Sequence, residues 1–119
     1  MSLIVCVDDP AFHSDAEGKH FFKAAGFASY RTELWGRVPI AWRSPLLAQI
    51  EHDLHLLPSD FEEFETQCRR VDAEAEAIAR ELRWDEATGT KSIRQYMRNF
   101  LDAVEFARMH NSPSITTIW

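Results

Sequence analysis

The apolar positions of this chain follow two periods, and the switch between them divides it into elements. Leu3-Ile4-Val5-Cys6-Val7 is a short β-branched run closed by the turn residues Asp8-Asp9-Pro10, which predicts a buried strand. A loop to about Gly18 follows. Phe21-Phe22, Ala24-Ala25, Phe27, Tyr30, Leu34 and Trp35 then fit helical spacing loosely, with Gly26 interrupting them. Residues 36–43 read as an irregular connector or an edge strand, because Pro39 lacks the N–H that a sheet ladder needs.

Helical periodicity takes over at Ser44-Pro45, where a capping hydroxyl precedes a residue whose fixed φ suits the first helical position. The helix predicted there carries Leu46, Leu47, Ile50, Leu54 and Leu57 on its apolar face and stops at Pro58. Ser59 and Glu62 have the spacing of a capping box and open the next helix. Its apolar positions Phe61, Phe64, Cys68, Val71, Ala75, Ile78 and Leu82 step by threes and fours, one seam along a helix of roughly 36 Å. Such a seam needs a partner helix. Residues 85–91, with Gly89 and no apolar repeat beyond Ala87, predict a turn. Ser92 then caps the partner, whose inward residues are Ile93, Tyr96, Met97, Phe100, Leu101, Val104 and Ala107. Asn111-Ser112-Pro113 closes it, and the β-branched tail Ile115 to Trp119 is expected to pair with the opening strand. The predicted fold is α+β and mostly helical: a long antiparallel helical hairpin packed on a small sheet formed by the N- and C-terminal strands. With no internal repeat or linker, residues 1–119 are expected to form a single globular domain.

Composition narrows the function. The chain is 45% hydrophobic, enough for a core without metal or disulfide staples at this length. Its 13 Lys and Arg against 19 Asp and Glu give a net charge of -6, which disfavours binding to a nucleic-acid backbone and suits a basic protein partner. Cys6 and Cys68 lie in apolar contexts and read as buried thiols. No basic residue precedes the short run Leu3 to Val7, so neither a signal peptide nor a membrane helix is expected, and the default compartment is the cytoplasm.

The candidate chemistry is sparse. His52 and His55, three apart on one predicted helical face, have a spacing that holds a metal if a third ligand arrives, although ordinary surface histidines explain them better. His13, Asp15 and His20 form a looser cluster that an ordinary polar loop accounts for. No nucleophile sits at a strained strand-to-helix turn, and the scattered glycines build no phosphate cradle, so no catalytic residue and no cofactor is expected.

Charge patterning says more. Glu51, Asp53, Asp60, Glu62, Glu63 and Glu65 fall in a stretch without Lys or Arg. Part of this is structural, since Asp60, Glu62 and Glu63 complement a helix macrodipole and Glu65 can pair with Arg69, as Glu76 can with Arg80. Glu62 and Glu63 instead face Thr66 and Gln67, which leaves them, with Glu51 and Asp53, either solvated or open to an outside cation. Tyr30, Trp35, Trp42 and Trp119 fall outside the hairpin seam. They either fill the space between sheet and helices or anchor an interface to which Arg31 and Glu33 would add a polar rim.

The short N-terminal strand, the segment Phe27-Ala28-Ser29-Tyr30-Arg31, the long helical middle, the helix Phe100-Leu101-Asp102-Ala103-Val104-Glu105-Phe106-Ala107 and the terminal strand together resemble small immunity proteins of bacterial polymorphic-toxin and contact-dependent inhibition systems. The resemblance is one of layout over most of the chain. It implies a stoichiometric inhibitor that occludes a cognate toxin C-terminal domain, often a basic nuclease, in the cytoplasm of the producing cell, and it assigns no binding residues. From the residues themselves, Asp53, Glu62 and Glu63, with Glu51 secondary, are expected to steer the partner, and Trp35 and Trp42 to anchor it. Neither nucleic acid nor membrane is an expected partner, and dimerisation through the long helix stays open. The alternatives are a helical adaptor for another protein and a small metal-dependent enzyme using His52 and His55.

Overall fold

In the computed structural model, residues 2–8, 19–27, 34–35, 43–52, 54–112 and 114–118 are described. The opening strand β1 (Ser2–Asp8) forms as its β-branched composition predicts. The C-terminal strand β4 (Ile115–Ile118) pairs with it antiparallel, Val5 opposite Thr117 and Val7 opposite Ile115. Leu3, Val5 and Val7 alternate onto the helical side and are fully buried.

Two further strands were not legible. Residues read as loosely helical form strand β2 (Lys19–Phe27), which lies antiparallel along the other edge of β1 with irregular register at Leu3/Ile4 and Val7/Asp8. The paired apolar residues mimic a poor helix when taken alone, and only the open edge of β1 makes them a strand. The second is β3 (His55–Leu56), which pairs with β4 and completes the order β2-β1-β4-β3.

The predicted helix over 45–57 is therefore short. Helix α1 (Pro45–Ala48) passes into a single 3₁₀ turn, Gln49–His52, before the chain extends into β3. Edge pairing wins over helical spacing because Thr117 holds Leu54 on both sides: the Leu54 amide donates to Thr117 Oγ1 at 2.9 Å, and the Thr117 amide donates to the Leu54 carbonyl at 3.1 Å. The extended backbone turns Leu56 inward and leaves Leu57 half exposed.

The hairpin forms as predicted, with altered ends. Helix α2 (Phe61–Ala73) and helix α3 (Ala75–Glu81) break at Glu74, where φ and ψ are -99° and 10°. The seam survives the break, and all seven of its apolar residues are buried. Its partner is helix α4 (Glu86–Met109), which packs against both and also backs the sheet. The seam is thus filled within one chain. Ser44, Ser59 and Ser92 do not cap these helices as expected. Helix α4 begins within the supposed turn, capped by Asp85, whose carboxylate accepts from the Thr88 amide at 3.0 Å. Asp60 precedes α2 and accepts from the Leu57 amide at 3.1 Å.

Gly89 is a packing residue, not a turn residue. A Cβ there would lie 3.0 Å from Trp84 Cβ and 3.1 Å from Ala79 Cβ, so the missing side chain makes room for α3 and the turn that follows it to pack against α4. Alanine at this position gains about 1 kcal/mol of helix propensity but meets an overpacking cost of about 1–3 kcal/mol. Gly89→Ala is expected to be net destabilising in urea melts, and Ala79→Gly in the same chain to recover part of the loss. Additivity of the two substitutions would show that the contact does not limit the packing.

The Asp85 cap carries a pH signature. Hydrogen bonds from the Thr88 backbone and side chain lower the Asp85 pKa from its ordinary 3.8. A carboxyl lowered by folding stabilises fully above its unfolded pKa and loses that contribution as pH falls through the folded value. Acid unfolding of Asp85→Ala, followed by circular dichroism, is expected to be less steep below about pH 4 than that of the parent. Identical acid limbs would mean that the cap does not couple to folding.

Candidate partner-binding surface

The acidic surface is built on the first turn of α2. Glu62 and Glu63 are exposed there, held by a short 3₁₀ turn, Pro58–Asp60, that fixes the entry angle of the helix. Carboxylates at this end meet the positive pole of the helix. Glu63 also has a task inside the protein that the sequence did not disclose. Its Oε1 accepts from Gln67 Nε2 at 3.0 Å, and the fully buried Gln67 turns its Oε1 to the amides of Leu46 at 2.9 Å and Leu47 at 3.3 Å. Gln67 thereby caps α1 from a different helix, the role expected of Ser44. Gln67 lies beside the apolar seam, next to Cys68, and its spacing from Glu63 does not by itself signal such a cap.

The other expected site residues are dispersed. Glu51 is half-buried in the 3₁₀ turn after α1, with its Oε1 3.8 Å from His52 Nε2. Asp53 and Trp42 lie outside the described residues, as do Tyr30, Arg31, Glu33, Trp119, His13 and Asp15. Trp35 corrects its assignment as an interface anchor: it is 1% exposed and packs edge-on against Phe100 at 5.7 Å, so it is a core residue. Its indole Nε1 is buried and finds no hydrogen-bond partner among the described residues.

Glu65 is neutralised internally. Arg108 reaches it from α4 at 2.7 Å, and Arg69 lies at 3.7 Å in the expected i,i+4 pair. Arg80 pairs with Glu86 at 3.3 Å and not with Glu76, because the start of α4 brings Glu86 closer. A shallow cleft of about 450 Å³ runs along α2 and α4 between Glu65, Asp72, Arg98, Asp102 and Arg108.

His52 ends a 3₁₀ turn and His55 begins a strand, so the shared helical face that suggested a metal pair does not exist. No group of three metal-ligating side chains occurs among the described residues. Both cysteines are free and buried, and burial foremost pushes the Cys68 thiol well above its usual range, with Glu65 adding to the shift. Such a thiol is a poor nucleophile. None of the described helices is long and apolar enough to cross a membrane. The chain matches no protein-family model, and no curated protein or solved structure shows a significant likeness to it.

Proposed function

We propose that the protein is an immunity protein that binds and neutralises a cognate bacterial toxin domain by stoichiometric occlusion in the cytoplasm of the producing cell. The observation that carries this reading is the exposed carboxylate pair Glu62 and Glu63 on a rigid helix start, with Glu51 on a neighbouring turn, in a chain of net charge -6. A fixed acidic surface attracts a basic domain over the range of the Debye length, about 8 Å at physiological salt, and raises the association rate. The layout resemblance supplies the toxin; the surface supplies the means of finding it. Catalysis plays no part in this reading.

The test is co-expression with the C-terminal domain encoded by the gene immediately upstream. Growth rescue together with a one-to-one complex is the expected result, whereas a toxic domain that the protein neither rescues nor binds would end the immunity reading. Within such a complex, Glu62→Lys combined with Glu63→Lys is expected to slow association at low salt and flatten its salt dependence, with little change in dissociation. An unchanged association rate would remove this face from the interface.

A further inference from the structure

Opposite in sign to the acidic surface, a basic cleft opens on the outer side of the hairpin near the α2–α3 break. Lys91, Arg94 and Arg98 project from one face of α4 at intervals of three and four, spanning about 10 Å of helix. With Thr90, Gln95 and Asp72 they line a concavity of about 600 Å³. None of the three cations has a hydrogen bond or ion pair among the described residues, although the protein is acidic overall. The single carboxylate of Asp72 in the same lining offsets only part of this positive charge, and the remainder favours an added anion.

A second observation points the same way. Thr90 Oγ1 is buried and has no hydrogen-bond partner, and Thr90 lines both this cleft and a smaller one of about 390 Å³ beside it. Buried hydroxyls are normally satisfied, and this one, shielded from the cleft that its residue lines, becomes a donor to a bound ligand only through a χ1 rotation that turns it outward. The smaller cleft also holds Glu76 and Glu86, of which Glu86 is engaged by Arg80 at 3.3 Å.

We propose that the cleft bounded by Lys91, Arg94, Arg98 and Thr90 binds a small phosphate ligand carrying at least two negative charges. The charge follows from the lining: three cations against the single carboxylate of Asp72 leave an excess of two. The span along α4 suits two linked phosphoryl groups better than one, and the forked guanidinium groups of Arg94 and Arg98 match phosphoryl oxygens in pairs. The volume lies within the range of about 300–1,000 Å³ typical of small-molecule sites. This site is independent of the toxin-binding reading and lies on different residues.

Isothermal titration with inorganic pyrophosphate at low ionic strength, with ADP as a second arm, tests the site on the intact protein. One-to-one binding that weakens with salt is expected, reduced on the order of tenfold by Arg94→Gln and by Thr90→Val. Thr90→Val removes a hydroxyl with no partner in the fold, so its melting temperature is expected to stay level or rise. Tighter binding of ADP than of pyrophosphate would identify the source as a nucleotide, and equal binding a free polyphosphate. Absence of binding to both at millimolar concentration, or binding unaffected by Arg94→Gln, overturns the proposal. So does binding of an oligoglutamate peptide in their place, which would make the cleft a protein-docking surface.

Discussion

Phe100→Ala is expected to destabilise the protein by about 3–5 kcal/mol, the range for truncating a large aromatic side chain in a packed core. Phe100 is fully buried on α4 and is the middle ring of three, edge-on to Trp35 at 5.7 Å and 79° and to Phe64 at 5.6 Å and 77°. Removing it opens a cavity where α2, α4 and the segment carrying Trp35 meet. Both edge-to-face contacts, each worth about 0.5–1.5 kcal/mol beyond area burial, disappear with it. Phe100→Leu keeps most of the volume and is expected to cost clearly less, which separates cavity from ring geometry. Urea unfolding followed by circular dichroism and by tryptophan fluorescence checks both variants. A loss below about 1 kcal/mol for Phe100→Ala would mean that the neighbouring rings collapse into the space.

That the centre of the core is predictable while its margins are not has a physical reason. Phe64 and Phe100 belong to facing seams of period 3.5, and every seam residue from Phe61 to Leu82 is buried, because local spacing alone decides which helical side chains share a face. Pairing of β1 with β4 was likewise legible, since five β-branched or apolar residues at each end had few other places to go. Strands β2 and β3 were not, because a strand exists only by virtue of the edge that receives it: β3 needs β4 from the far end of the chain, and β2, although it follows β1 in sequence, carries paired apolar residues that do not alternate like a strand. The caps failed for a different reason. Asp85 accepts from the Thr88 amide and Asp60 from the Leu57 amide, both exposed contacts three residues apart, so the capping chemistry is local and was hidden only by the turn drawn over residues 85–91 and the preference for Ser59 and Ser92.

The candidate surface divides along the same line. Exposure of Glu62 and Glu63 follows from helical phase, as does the Glu65–Arg69 pair. Burial of Trp35 depends on Phe100 from α4, far off in sequence, which no local pattern encodes. The basic cleft was missed because Lys91 and Arg94 fell on either side of a supposed turn boundary and were never placed on one helix. Once α4 starts at Glu86, Lys91, Arg94 and Arg98 share a face.

The second large effect is expected at Gln67, which helical spacing places beside the seam and facing Glu63, not in the core. Gln67→Leu keeps the size of the side chain and deletes the acceptor for the Leu46 and Leu47 amides, and the expected loss is about 1–3 kcal/mol, the cost of stranding buried donors. Gln67→Glu separates hydrogen bonding from shape, since it keeps an acceptor for both amides but sets a second carboxyl against Glu63 at a contact now 3.0 Å long. Burial and the like charge raise the folded pKa of the new carboxyl above its unfolded value. Its proton can then donate to Glu63, so stability is fully present below the unfolded pKa and falls as pH rises through the folded one. The variant is therefore expected to approach the parent near pH 4 and to fall behind it toward neutrality, with Glu63→Gln in the same chain removing most of the pH dependence. A pH-independent difference would mean that position 67 is hydrated in solution and that α1 is held by its apolar contacts alone. The stakes reach the surface as well, because Gln67 ties α1, and with it the turn that carries Glu51, to the helix that presents Glu62 and Glu63. If those carboxylates act together on a basic partner, Gln67→Leu is expected to slow association although residue 67 is buried and cannot touch that partner.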